Sequence, residues 1–339
     1  MDNLKRKQEP EELGQILKKI APKIDASILT DPEWGVAGQI TFKSGNKSYF
    51  KYNSLDINRL GASEIAKDKD FANFFIKDMG YKTVPNSKAF FSDEWAEKIG
   101  CLSRRIDDAY KYAQEIRFPV IIKQNSGSQG EGVSLVHNKE EFYKAMNVNF
   151  KEDRVVLVQQ PVVGKDYRIV VLDNKVIVAY ERKPLNITGD GKLTIRELVQ
   201  IKQEEFEKIN RGVHLRLDNP RLLSKLRNQN LDLDSVLDKS QKIDLLDNAN
   251  LSTGGDSLDV TEIIHSTFKE LAINLSKDMG LRLCGVDIII DGDIGKKLES
   301  YYILEVNHSP GINHYSKVSK EKQTVIENMY LEILKKIEY

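Results

Sequence analysis

Two hydrophobic periods alternate along this chain, and the points where one gives way to the other mark its elements. A polar helix around Glu11 to Ile20 comes first. The alternating runs "GQITF" and "KSYFKY" then predict paired strands. Through "ASEIAKDKDFANFFIKDMG" the spacing is helical again, with Ile65, Phe71, Phe74, Phe75 and Met79 in phase and Gly80 as the stop. A further helix is predicted in "SRRIDDAYKYAQEI", capped by Ser103, with Ile106, Ala109, Tyr110, Ala113 and Ile116 on one face.

From Phe118 the pattern turns to strands. "FPVIIKQ", "VSLVH" and "RVVLVQQ" read as strands, and "NKEEFYKAM" between the last two reads as a helix with Asn138 and Glu141 at capping-box spacing. "YRIVVLDNKVIVAYER" is a hairpin turning at Asp173-Asn174. "TGDGKL" is a turn, after which Thr194 and Glu197 cap a charged helix through "IRELVQIKQEEFEKI". No period assigns the polar stretch from about Arg211 to Lys242. Beyond it the pattern predicts a loop in "NLSTGGDSLDV", an amphipathic helix in "TEIIHSTFKELAINLSKDMG", strands in "LCGVDIIID" and "YYILEVN", and a closing helix from Ser319 to Ile337. This order is α+β, or mixed α/β, rather than a regular βαβ array.

Composition narrows the class. The 339 residues are 40% apolar, enough for a real core in one large domain or two to three smaller ones. Lys plus Arg and Asp plus Glu both total 51, so no bulk charge draws the chain to nucleic acid or to an anionic membrane. Cys101 and Cys284 are far apart with no CxxC, which fits a reducing compartment and argues against a cysteine metal site. The charged start "MDNLKRKQEPEELG" has no apolar leader core, and no window approaches the ~18 apolar residues of a spanning helix. A soluble cytoplasmic protein is the expectation.

The candidate chemistry begins at "NSGSQGEGV", where Gly127, Gly130 and Gly132 follow a strand. A P-loop or dinucleotide fingerprint needs its glycine turn to open a helix, whose N-terminus supplies the phosphate-binding amides. Here the β-type run "VSLV" follows instead. Two readings stay open: an exposed hairpin tip, or a lid that folds over phosphate with its backbone amides and with Lys123 at its base. Near the C-terminus, Asp287 sits among Val and Ile, while Glu305 and Asn307 are two apart on a strand and so share a face. Together their oxygens suit Mg²⁺, against the alternative of a solvated polar face. The apolar neighbours of Asp287 favour the metal reading, because an unpaired carboxylate there is costly. Arg168 and Arg182 can meet at one end of the hairpin, or be exposed ion pairs. The histidines at 137, 214, 265, 308 and 314 show no ligand spacing and read as surface or packing residues.

In order along the chain, "DKDFANFFIKDMGYKTVP", "FPVIIKQNSGSQGEGV", "LVQQPVVGKDYRIVV", "RKPLNITGDGKLTIRELV", "NLSTGGDSLDVT", "GVDIII" and "LEVNHSPGINH" resemble the ATP-grasp superfamily. The resemblance is to the ATP-grasp domains of cyanophycin synthetase and bifunctional glutathione synthetase, and runs from about Asp68 to Tyr315. It implies an ATP-grasp fold with nucleotide held between a lid subdomain and a C-terminal antiparallel sheet. It also implies ATP and Mg²⁺ as cofactors, with Mn²⁺ as a substitute. Lys69 and Lys123 look like the two lysines at the ATP phosphates, and Ser126, Gly127, Ser128, Gly130 and Gly132 like the closing loop. Gln159, Gln160 and Val162 match the segment that cradles adenine through backbone groups, with Asp166 at the ribose. Arg168, Arg182 and Asn250 fall where similar proteins handle the transferred phosphate and acyl intermediate. Asp287, Glu305 and Asn307 match the metal ligands.

The implied activity is a carboxylate–amine ligase: ATP phosphorylates a carboxylate, and an amine attacks the acyl phosphate to give an amide, ADP and phosphate. "LVQQP" departs from the acidic residues usual on the adenine side, though an amide oxygen can accept from the adenine amino group. The second ligase domains of the two similar enzymes are not in this sequence, which argues against iterative polymerisation. The expected organisation is a short N-terminal α/β unit at 1–60, an ATP-grasp domain at 61–325 with its lid at about 103–163, and a C-terminal helix end at 326–339. Substrates are expected to be a small-molecule or peptide carboxylate and an amine, with no nucleic acid and no membrane; a homodimer stays open. The rivals are an ATP-grasp kinase that stops at phosphoryl transfer and a non-catalytic nucleotide sensor.

Overall fold

The structure, a computed structural model, describes residues 12–128, 130, 132–209, 211–312, 315 and 319–338. Glu11, Gln129, Glu131 and His314, which belong to the readings above, lie outside the described residues. Helix α1 (Glu12–Ile20) buries Leu13, Ile16, Leu17 and Ile20 at helical spacing. Strands β1 (Ser27–Thr30), β2 (Ala37–Thr41), β3 (Lys47–Lys51) and β4 (Ser54–Leu55) follow as an antiparallel meander, with the expected β2–β3 pairing.

The single helix expected next is two, α2 (Leu60–Lys67) and α3 (Lys69–Asp78). Asp68 breaks it. Its backbone is extended, at φ −92° and ψ 106°, and its carboxylate caps α3 by accepting the Phe71 N–H at 3.0 Å. The buried stripe of α3 is accordingly Ala72 and Ile76, and Phe71, Phe74 and Phe75 stand in solvent.

A four-stranded sheet of order β5-β8-β6-β7 follows, built from β5 (Lys88–Phe91), β6 (Val120–Gln124), β7 (Ser134–Val136) and β8 (Val155–Gln159). Between β5 and β6 run α4 (Asp93–Lys98) and α5 (Ile106–Ile116), and α6 (Lys139–Asn149) links β7 to β8. Helix α5 keeps the predicted face but not the predicted cap. Arg105, not Ser103, is its N-cap residue, and the Arg105 N–H donates to Asp108 at 3.2 Å. Asn138 caps α6, while Glu141 reaches back to the His137 N–H. Phe90, Ala109, Ile122, Phe142, Met146 and Val158 close this unit's core.

Next, β9 (Lys165–Leu172) and β10 (Lys175–Lys183) form the predicted hairpin. β11 (Asn186–Thr188), α7 (Ile195–Lys208), α8 (Pro220–Asn228) and β12 (Lys242–Asp244) make a small unit with its own core around Ile195, Leu222, Leu226 and Ile243. Its second half is the stretch no period assigned. The "NLSTGGDSLDV" segment is only partly a loop, because β13 (Asp256–Asp259) pairs with β10 as an edge strand. Four residues, two of them Asp, give it no hydrophobic signal. Helix α9 (Ser266–Asp278) starts later than the pattern predicts, with His265 accepting the Thr267 N–H at 3.2 Å. Strands β14 (Leu283–Ile290) and β15 (Tyr302–Asn307) complete an antiparallel sheet of order β13-β10-β9-β14-β15, and α10 (Lys320–Ile337) closes the chain. Among the described residues no helix is long and apolar enough to cross a membrane.

Strand periodicity gives this central sheet two faces. Ile169, Val171, Val286 and Ile288 pack with α3 and α9. Val170, Leu172, Val178, Tyr180 and Leu283 pack on the other side with α1 and α10, through Leu13, Leu17, Ile326, Tyr330 and Ile333. This second face is apolar at one end only: the same alternation that places Val170 and Tyr180 there places Arg168 and Arg182 further along it.

Candidate active site

Register brings the charged residues of that face together. Asp287 pairs directly with Arg168 on one side and with Glu305 on the other. Arg168 clamps Asp287 with two bonds, Nε to Oδ1 at 2.6 Å and a terminal nitrogen to Oδ2 at 2.7 Å. Arg182, itself buried, lies 2.9 Å from the same carboxylate and donates to Asp166 at 2.7 Å. Arg168 comes within 3.9 Å of Glu305, and Lys69 within 3.8 Å of it from the start of α3. The result is a ladder of alternating sign: Asp166, Arg182, Asp287, Arg168, Glu305, Lys69. Asn307 extends it by donating to Glu305 at 3.2 Å.

Burial and pairing compete along the ladder. Burial, the largest influence, pushes the Asp287 carboxyl upward, and the two guanidiniums beside it pull against that. Burial also opposes the Arg168 and Arg182 charges, yet the carboxylates keep both above their ordinary range. Glu305 feels burial first, but Lys69, Lys123 and Arg168 together outweigh it and hold the group well below the usual carboxylate range. Lys123 goes the other way. Burial pushes it down to about 8, with Glu305 opposing and Lys69 assisting.

The ladder borders two cavities that share Lys69, Gly127, Ser128, Arg182, Asn250 and Glu305. The larger, of about 470 Å³, adds Lys123, Gly130, Gln159, Val162, Asp166 and Asp287 to its walls. The smaller, of about 400 Å³, adds Ser126, Arg168 and Asn307. Among the residues singled out in the sequence, Gln160 and Gly132 line neither. Gln160 follows Gln159 at the end of β8, so its side chain leaves on the opposite side, where it accepts from Asn86 at 3.0 Å. Gly132 instead offers its carbonyl to Asn149 at 3.0 Å. Ser126 is tied by both its N–H and hydroxyl to Asp153, at 2.8 Å each.

Sequence reasoning missed part of the smaller cavity. Tyr52, Asn53 and Ser54, at the turn between β3 and β4, form one wall, and Lys67, Tyr180 and Ser309 belong to others. Tyr52 adopts φ +53°, a left-handed conformation uncommon without glycine. His308 lines this cavity too, with its imidazole pushed down by burial and by Lys67. Its place directly after Asn307 was the available signal.

The model of the RimK-like ATP-grasp domain matches residues 96–207 and 239–331, more than half of the chain. The glutathione biosynthesis bifunctional protein GshAB of Mannheimia succiniciproducens is 38% identical over 209 residues, covering 56% of this chain and 27% of its own. The protein of the same name from Enterococcus faecalis is 37% identical over 202 residues, covering 57% and 27%. The chain thus spans about a quarter of the length of these curated relatives. The crystal structure of a bifunctional glutathione synthetase from Pasteurella multocida superposes with a TM-score of 0.53 at 26% identity, covering 90% of this chain and 42% of that one. On that family match over more than half of its length, the chain belongs to the RimK-like ATP-grasp family.

Proposed function

We propose that this chain is an ATP-dependent carboxylate–amine ligase, acting on an amino acid or short peptide through an acyl phosphate. The observation that carries the reading is the charge ladder whose residues line two neighbouring cavities and are in part shared by them. In this reading the larger cavity takes the nucleotide. Lys69, Lys123 and the glycine-loop amides hold its phosphates, and Gln159, Val162 and Asp166 its nucleoside. The smaller cavity takes the acid, whose carboxylate meets the γ-phosphate beside Arg168, Arg182 and Asn250. Such a transfer needs alignment and charge neutralisation more than a protein nucleophile, and the ladder offers both. The glycine loop excludes water from the acyl phosphate until the amine attacks carbon and phosphate leaves.

Asp287, Glu305 and Asn307 form a hard donor set that fits Mg²⁺ or Mn²⁺. Glu305 is ionised and its side chain partly open, at 27% exposure, and a half-turn of the Asn307 amide presents its oxygen in place of its nitrogen. A bound cation supplies charge neutralisation at the phosphate oxygens. Among the described residues no group of three or more His, Cys, Asp or Glu is placed to hold a metal ion, so this set depends on the Asn307 oxygen beside its two carboxylates.

The test is mass spectrometry of products from a panel of amino acids, dipeptides and amines with Mg-ATP, including the substrates of glutathione synthesis because the relatives carry that name. ADP release that needs both an acid and an amine, with a matching amide product, is expected. Release that ignores the amine points to a kinase, and silence across the panel to a nucleotide-binding role.

A further inference from the structure

The glycine loop between β6 and β7 is gripped by side chains from three separate elements. The Gly127 carbonyl accepts from Lys69 at the start of α3, and the Gly132 carbonyl from Asn149 at the end of α6 at 3.0 Å. Between them, the Gly130 carbonyl accepts from the Arg221 guanidinium at 2.6 Å, which also lies 3.5 Å from the Val133 carbonyl. Arg221 belongs to α8, inside the 208–238 gap that the family match skips.

That arginine is itself fixed. Asn219 accepts its backbone N–H at 3.0 Å, and the next turn is anchored by Leu222 and Leu226, both buried against α7, β11 and β12. Gly130 is also closed in by the Asn248 and Asn250 side chains. A Cβ added to it, at φ +72°, would lie 2.4 Å from Asn250 Oδ1 and 2.5 Å from Asn248 Nδ2. Gly130 is thus clasped between residues of the inserted unit and residues of the chain that returns from it.

We propose that Arg221 is a positioning residue for the nucleotide phosphates, acting through the Gly130 carbonyl. The inference rests on reading the larger cavity as the nucleotide site. A peptide loop presents carbonyls and amides alternately, and an anion is stabilised by the amides and repelled by any carbonyl that turns toward it. Lys69, Arg221 and Asn149 each occupy one glycine carbonyl and keep it from turning on an anion, whereas the Ser126 N–H is taken by Asp153 and the Val133 N–H donates to the Gly130 carbonyl at 3.4 Å. A charged donor is suited to the central position, because a charge-assisted bond is about twice as strong as a neutral one. The insertion that sequence periodicity could not assign thereby acts on the site, by holding a loop whose Gly127, Ser128 and Gly130 line the larger cavity.

The experiment compares wild type, Arg221→Ala and Arg221→Lys by calorimetric binding of Mg-AMP-PNP and of adenosine, which lacks phosphates. Hydrogen exchange of the peptide carrying Gly127, Gly130 and Gly132 is measured alongside. Arg221→Ala is expected to weaken AMP-PNP about tenfold, leave adenosine unchanged and speed exchange of the loop. Arg221→Lys recovers part of both effects. Unchanged AMP-PNP affinity in Arg221→Ala at an unchanged melting temperature overturns the proposal, as does an equal loss of adenosine binding. If wild type binds neither ligand, the nucleotide reading itself fails, and loop exchange unchanged by Arg221→Ala would overturn the grip separately.

Discussion

One face of the central sheet ends in two ways. Toward α1 and α10 it carries Val170, Leu172, Val178 and Leu283, which gain stability by leaving water and need only matching volumes. Further along the same strands it carries Arg168, Arg182 and Asp287, which lose hydration on burial and recover it only through pairing of good geometry. Buried ion pairs are a poor source of stability compared with well-packed apolar groups, so folding alone gives no reason for the second end. The difference separates a region built to hold the fold from one whose cost calls for a function.

The sharpest way to break that contrast is Asp287→Ala, which leaves two buried guanidiniums without their shared partner. It is expected to cost about 3–5 kcal/mol of stability as well as activity, read by urea denaturation and ADP release. Glu305→Gln weights the two properties differently. Removing a charge that Lys69, Lys123 and Arg168 favour should lower the folding midpoint, while turnover of the folded protein falls about 10²–10³-fold, and a wild-type rate would sink the proposed metal role. Leu172→Ala is the converse control at the apolar end: about 2–4 kcal/mol of stability lost, with kcat of the folded enzyme retained.

A smaller effect tests the lysine beside the ladder. Lys123 is held at about 8, below the ordinary lysine value, so the nucleotide-free protein loses that charge as pH rises through 8. Phosphates favour the charged form, so binding at pH 9 should take up close to one proton and grow weaker with rising pH. Calorimetry in two buffers of different ionisation enthalpy measures the uptake, and Lys123→Met should abolish it. Smallest of all, Asp153→Ala releases Ser126 and should raise the KM for ATP only a few-fold, near the ~1 kcal/mol of ordinary hydrogen bonds.

Strand alternation made much of this legible beforehand. The hairpin at Asp173-Asn174, the strand–loop–strand form of the glycine segment and the shared face of Glu305 and Asn307 all follow from a period of two. What escaped was set by single residues or by distant contacts. Asp68 ends one helix and caps the next, a choice that an apolar period running across it does not reveal. The Tyr52–Ser54 turn joins the smaller cavity from far away in sequence, and α8 is anchored by too few leucines to stand out from its polar neighbours. Gln160 adjoins Gln159 in sequence, but strand geometry sends the two side chains apart.

The ladder also bears on the order in which the site fills. Its acids already face cations on each rung, Asp287 between two arginines and Glu305 between Arg168 and Lys69. A lone divalent cation arriving there meets carboxylates that are spoken for and positive neighbours that repel it. A polyphosphate arriving alone must share the space with Glu305. In the proposed reading, cation and nucleotide therefore gain most by entering together, each neutralising what the other meets.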